Sequence, residues 1–175
     1  GVSGSYFEIA RGLNFSKDSV LKDLSAHVEY NGGVGFGSQN FLLGADYLLH
    51  NADYSNTFKF SLMYKTFSGN ASSDTPLQFT FVWGMKNIFG VDGLTFSGFA
   101  DIWGENTKFW YADPVDNQAE EGKFIFISEP QLWYNVGKHF GVDNLHIGTE
   151  IELSYNFAGN HGFYCRPCLG TKWVF

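Results

Sequence analysis

The sequence predicts an all-β chain, an antiparallel up-and-down transmembrane β-barrel, and three observations carry that prediction. Apolar and polar residues alternate with period two over long segments, the spacing that sends successive side chains to opposite faces of a strand. Most of these segments reach about nine residues or more, nearer the 9–11 of a tilted membrane strand than the 5–6 of a soluble sheet. Clusters of Gly, Asn, Asp and Ser separate them at intervals of roughly fifteen to twenty residues, where turns belong.

Composition narrows the classes. The 175 residues suit a single domain spanning 1–175. Only 17% are charged, below the roughly 25% of ordinary soluble domains. No run of about 18 apolar residues exists, which excludes a transmembrane helix but not a barrel, whose strands are short and alternate. A net charge of −7 without a basic stripe argues against a nucleic-acid partner.

Nine strands are predicted, at about 3–13, 23–31, 40–50, 57–67, 76–86, 94–104, 123–138, 145–157 and 164–175. In the first, Glu8 and Arg11 are three apart, so strict alternation sets them on opposite faces. A mid-bilayer Arg costs roughly 2–4 kcal/mol. A bulge that turns both inward into a lumenal ion pair avoids this, and so does a place near the interface. In the second strand Leu24, Ala26, Val28 and Tyr30 face away from Ser25, His27 and Glu29, and in the third Asp46 joins the polar set. In the fourth Phe58, Phe60, Leu62 and Tyr64 oppose Lys59, Ser61 and Lys65. In the fifth Leu77, Phe79, Phe81 and Trp83 oppose Gln78, Thr80 and Lys86. Asp101 and Trp103 fall on the polar face of the sixth. In the seventh Phe124, Phe126, Leu132, Tyr134 and Val136 oppose Glu129, Gln131, Trp133 and Asn135. The eighth is the cleanest: Leu145, Ile147, Thr149, Ile151, Leu153, Tyr155 and Phe157 oppose His146, Gly148, Glu150, Glu152, Ser154 and Asn156. The last ends flush on Phe175 with Trp173 two residues earlier, and Arg166 and Lys172 belong to its polar set.

In a soluble sandwich the apolar faces would form the core. In a membrane barrel they meet lipid, and the polar faces line a lumen. Strand length favours the membrane. So do aromatics at the ends of apolar faces (Tyr30, Trp83, Tyr155, Phe157, Trp173, Phe175), which suit interfacial girdles, and polar faces of small groups and both charge signs. With Phe175 on the periplasmic side, loop parity places the long acidic stretch 105–122 outside, where barrels carry their longer loops.

Other motifs receive structural readings. Phe89-Gly90-Val91-Asp92-Gly93-Leu94 recurs as Phe140-Gly141-Val142-Asp143-Asn144-Leu145, at two predicted turns on one side. Cys165 and Cys168 form a lone CxxC, read as a structural disulfide or two free thiols. The glycines of 32–37 lead into a strand and not a helix, so they fail the context for phosphate binding. Acidic residues from Asp113 to Glu121 lack EF-hand spacing and read as a solvated loop. No Ser/His/Asp arrangement and no metal-ligand spacing stands out, so neither an enzyme nor a cofactor is expected.

The candidate lumen-lining set is therefore His27, Glu29, Asp46, Lys59, Lys65, Asp101, Trp103, Glu129, Gln131, Trp133, His146, Glu150, Glu152 and Lys172. Opposed charges across a lumen would select small polar solutes, and Trp103 and Trp133 would stack on a sugar or base. The same groups would equally interlock and close a narrow barrel.

Several stretches resemble the nucleoside-specific channel-like (Tsx-like) family of outer-membrane barrels. They are Gly4-Ser5-Tyr6-Phe7-Glu8-Ile9-Ala10-Arg11, Glu129-Pro130-Gln131-Leu132-Trp133-Tyr134-Asn135, the strand from Gly148 to Phe157, the segment from Phe79 to Trp103, and the closing Gly170-Thr171-Lys172-Trp173-Val174-Phe175. The resemblance implies a twelve-stranded barrel in the outer membrane of a Gram-negative cell. It also implies a passive channel for small polar solutes, with lipid and lipopolysaccharide around it and the barrel-assembly machinery as its partner during biogenesis. Nine is odd, whereas single-chain bacterial barrels have even counts, so about three further strands are expected upstream of Gly1.

Overall fold

The computed structural model describes residues 4–15, 18–33, 39–69, 71–109 and 120–175. Among them the chain is all-β, with ten antiparallel strands in one sheet and no α-helix. The strands are β1 Gly4–Gly12, β2 Leu24–Gly33, β3 Gln39–His50, β4 Asn56–Lys65, β5 Leu77–Lys86, β6 Leu94–Phe109, β7 Glu120–Ser128, β8 Gln131–Asn135, β9 Leu145–Tyr155 and β10 Phe163–Trp173. Each pairs with the next as far as β7. β9 then pairs with both β7 and β8, and β10 ends the path.

The count of ten corrects the predicted nine at one place. The predicted strand 123–138 is split into β7 and β8, and it ends at Asn135, followed by a 3-10 turn at Gly137–Phe140. The two pieces keep a common register. Ser128 faces Ala100 and Gln131 faces Ser97 on one side. On the other, Ser128 faces Leu153 and Gln131 faces Glu150. The three-residue step is the same on all strands, so β7 and β8 form one stave interrupted at Glu129 and Pro130. Pro130 has no amide hydrogen to give the ladder. The Glu129 amide still donates to the Phe99 carbonyl at 3.0 Å, and the Pro130 carbonyl accepts from Ile151 at 3.1 Å. Gly98 lies opposite this break, where a Cβ would come within 2.5 Å of the Glu129 carbonyl and 2.6 Å of the Trp83 ring.

Elsewhere the largest shift is at the end of β6, which runs on to Phe109 instead of stopping at 104, helped by a bulge that sets Glu105 and Asn106 against Lys123 alone. Of the predicted acidic loop, 110–119 lies outside the described residues, as do 34–38 of the glycine-rich stretch. β9 stops at Tyr155 because Asn156 takes a left-handed φ of 55°. The chain then turns Phe157 inward, edge-on to Trp103 with ring centroids 6.3 Å apart. Phe157 therefore does not extend the outer apolar face as alternation predicted.

Burial is distributed unusually. The polar face of the sheet is the covered one: His27, Glu29, Asp46, Ser61, Lys65, Gln78 and Ser154 are all buried. Ile9, Leu43, Leu62, Tyr64, Phe79, Ile102 and Ile147 are exposed on the opposite face. The sheet curls far enough for β1 and β6 to line one cavity. Leu42, Met63, Ile125 and Ile127 also point inward, apolar residues that the alternation reading assigned to no lumen. Trp103, Ile125 and Ile127 form a cluster with Phe67, Phe99 and Phe157 at the end of the sheet away from Phe175.

Aromatic rings gather at both ends of the outer face. Phe7, Tyr30 and Phe41 follow one another at one end, the first two rings stacked and the last tilted, with centroids 5.5 and 4.9 Å apart. Phe58, Phe81, Trp83 and Phe96 form a second series nearer the Phe175 end. Phe89 and Phe140, the first residues of the two repeated turns, project at that same end. β1 and β10 terminate the sheet, and each is paired on one side only among the described residues.

Candidate functional site

The inner face carries two groups of polar residues. The larger surrounds a cavity of about 770 Å³ lined by Glu8, His27, Glu29, Lys59, Lys65, Gln78, Asp101 and Trp103, among others. The strand period puts these side chains on one face, and the curl of the sheet brings β1 and β2 opposite β6. Lys65 is buried; its ammonium donates to Gln78 Oε1 at 3.1 Å and sits 3.7 Å from the Trp103 ring centroid. The Trp103 indole donates to Glu105 at 2.7 Å. Asp46 is buried behind His27 and accepts from its Nδ1 at 2.8 Å. Where Asp46 accepts from Nδ1 of a neutral ring, Nε2 presents a lone pair; it stands 3.8 Å from Glu8 Oε2. That Nε2 is buried with no hydrogen-bond partner.

The second group lies on β8, β9 and β10. The Trp133 indole donates to Gln131 at 2.9 Å, and the Lys172 ammonium stands 4.7 Å over the Trp133 ring. Lys172 faces His146 across the ladder, and Glu150 faces Gln131 and Cys168. Glu152 is ion-paired with Arg166 and accepts from Ser154 at 3.0 Å. Glu129, at the break in the stave, lies within electrostatic range of Glu150, Glu152 and Asp101. The two tryptophans thus belong to different groups, and a lysine occupies a face of each.

Of the two alternatives for Glu8 and Arg11, the bulged lumenal pair is not formed. β1 has no bulge: its register against β2 is unbroken from Gly4 to Gly12. Glu8 faces inward with Tyr6, whose hydroxyl donates to it at 2.7 Å. Arg11 is left on the outer face, one residue from the strand end. Tyr6 and Asn31 line the cavity without having been placed on a polar face from the sequence, and Gln78 and Thr80, which alternation set on the polar face of the fifth strand, line it too although the candidate set left them out. Their signal was parity, since each shares the face of a neighbouring charged residue.

Polar clamps fix both ends of the sheet. The repeated turns touch, with Lys138 donating to the Asp92 backbone carbonyl and to its carboxylate at 3.1 Å. That hydrogen bond holds the Lys138 amine above its ordinary value. Gly90 and Gly141 take matching left-handed φ angles of 73° and 72°. At the other end, Asp74 accepts from Asn106 at 3.2 Å and from Lys123 at 3.3 Å. These bonds, Asn106 first, hold its carboxyl below the usual carboxylate range. Cys165 and Cys168 are free thiols on opposite faces of β10, as an odd spacing in a strand requires, so the disulfide alternative is excluded.

Period-two spacing does not reveal one grouping. Glu8, His27 and Glu29 each offer a ligand atom, and the three atoms lie within 4.8 Å of one another. Comparison with curated proteins and with solved structures returns no significant match. A family model described as a domain of unknown function, DUF5020, matches residues 1–175, the whole of the chain, and the chain belongs to that family.

Proposed function

We propose that the protein is an outer-membrane β-barrel channel that passes small polar solutes, nucleosides among them, by passive diffusion. One observation carries this reading: a cavity of about 770 Å³, ringed by charges of both signs, opens on the face turned away from an exposed apolar band. In water that arrangement would be inverted. In a bilayer the apolar band meets lipid and the aromatic series at its two ends serve as girdles. The volume falls within the roughly 300–1,000 Å³ of small-molecule sites. Glu8, Glu29 and Asp101, with Lys59 and Lys65, provide opposed charges around the path of a polar solute. Asn40 Oδ1, Ser61 Oγ and Asp101 Oδ1 lack protein partners on this face. Each would cost about 1–3 kcal/mol in a dry interior, a cost that lumenal water removes. Resemblance to the nucleoside-specific channel-like family supports the same reading. Lipopolysaccharide would then surround the outer end, and the closing Trp173 and Phe175 would engage the barrel-assembly machinery.

A closed barrel acting through its outer loops is the second reading. The apolar cluster of Trp103, Ile125, Ile127 and Phe157 across one end of the interior favours it. Planar-bilayer recording of the full-length protein separates the two. A channel gives discrete conductance steps whose cation preference falls when Glu29 is changed to Gln. A silent bilayer, together with no solute uptake into proteoliposomes, removes the channel.

A further inference from the structure

We propose that Glu8, His27 and Glu29 form a binding site for one divalent transition-metal ion, with Zn²⁺ as its natural probe, on the cavity wall. The geometry is set by two paired strands. Glu8 faces Glu29 directly across the β1–β2 ladder, and His27 lies two residues before Glu29, opposite Ala10, whose methyl leaves the space open. The three ligand atoms lie within 4.8 Å of one another, and His27 Nε2 is already 3.8 Å from Glu8 Oε2. A Zn²⁺ bound at about 2.0–2.2 Å from each donor needs them roughly 3–4 Å apart, so small side-chain rotations close the site.

Two independent observations point to a cation. First, His27 is 97% buried (3% exposed), its Nδ1 is committed to Asp46, and its Nε2 lone pair aims at the two carboxylates with no hydrogen-bond donor to meet it. An orphaned imidazole nitrogen oriented by a carboxylate behind it is the usual outer shell of a metal-ligating histidine. Second, Glu8 and Glu29 are like charges at directly opposed ladder positions, an arrangement that repels unless a cation lies between them. Each carboxylate also has its own orienting donor, Tyr6 on Glu8 at 2.7 Å and Asn31 on Glu29 at 2.5 Å. Every ligand of the triad is therefore held from behind. The mixed donor set selects the metal: imidazole nitrogen suits Zn²⁺ and its neighbours, whereas Ca²⁺ and Mg²⁺ prefer oxygen alone. Three protein ligands leave a fourth position facing the cavity, open to water or to a passing solute. The site is a property of β1 and β2 and stands whether or not the lumen conducts.

The test uses the full chain in detergent micelles, without a histidine tag and with Cys165→Ser and Cys168→Ser, so that thiols cannot take the ion. After chelator treatment, calorimetric titration with ZnCl₂ should give one equivalent bound, at least about tenfold tighter than CaCl₂. Glu8→Gln, at an exposed position of an edge strand, should weaken Zn²⁺ at least about tenfold, and His27→Gln should abolish binding. Asp46→Asn keeps all three ligands and should still weaken binding by about 10–100-fold. X-ray absorption on the loaded protein should report nitrogen and oxygen donors with an imidazole among them. No Zn²⁺ binding, equal affinity for Ca²⁺, or an affinity unchanged by both Glu8→Gln and His27→Gln would overturn the assignment.

Discussion

Changing Leu62 to Arg probes the medium outside the sheet. Leu62 lies on the outer face of β4, 59% exposed, directly opposite Ala45 of β3. Ala45 is six residues from Gln39 and five from His50, so the pair sits midway along the strand. Six residues at about 3.4 Å each span about 20 Å. A tilt of about 45° lowers this to about 15 Å, half the thickness of a bilayer's hydrocarbon core. An arginine there should cost about 2–4 kcal/mol, or roughly 30- to 700-fold in the folded-to-unfolded ratio. The control is Thr80→Arg, on the inner face opposite Asp101, where the new cation meets a carboxylate and should change stability by less than about 1 kcal/mol. Reversible urea unfolding in phospholipid vesicles reads both. If the outer face met water, Leu62→Arg would fall within about 0.5 kcal/mol of wild type. That result, or equal costs at the two positions, would refute the reasoning.

Two further predictions concern packing and charge. Gly44 lets β3 approach β4 closely: an added Cβ would lie 2.1 Å from the Leu62 carbonyl and 2.7 Å from the Met63 Cα, both backbone atoms. Gly44→Ala should therefore cost about 1–3 kcal/mol. Gly141→Ala meets nothing within 4 Å and only its φ of 72° opposes it, so it should cost about 1 kcal/mol; equal thermal losses in detergent would sink the distinction. Asp74 is held below the carboxylate range by Asn106 and then Lys123. Its clamp is therefore complete above the ordinary Asp value of about 3.9 and is released only as pH falls through the lower folded value. Carboxyl titration by NMR should place its midpoint below about 3.9, and a midpoint at or above that value would contradict the clamp.

Much of the architecture was legible in the residues because a strand's period is two. His27, Glu29, Asp46, Lys65 and Gln131 could be given a common face without knowing the fold, and the apolar faces carried β-branched and aromatic residues that few other elements would tolerate. What alternation could not supply was anything set by curvature. The inward side chains of Leu42, Met63, Ile125 and Ile127 have the parity of polar neighbours, but being apolar they were assigned to no lumen. Phe157 looked like the last member of an outward series until the left-handed Asn156 turned it inside. The Glu8 partner was misjudged for a simpler reason. Arg11 is near in sequence, whereas His27 and Glu29 are near only once β1 pairs with β2. Pro130 was visible as a strand breaker, yet only the register on both sides reveals that it interrupts a stave without displacing it.

The most direct test of the central claim asks which face meets lipid. Two variants each keep a single tryptophan, one at Leu62→Trp on the outer face and one at the native Trp103 on the inner face, and both are reconstituted with brominated phospholipid. Bromine quenches only rings it can touch. The account predicts strong quenching at position 62 and little at Trp103, with the difference lost when non-brominated lipid is used. Equal quenching at the two positions, or none at position 62 in a protein that stays folded and monomeric without detergent, would contradict it.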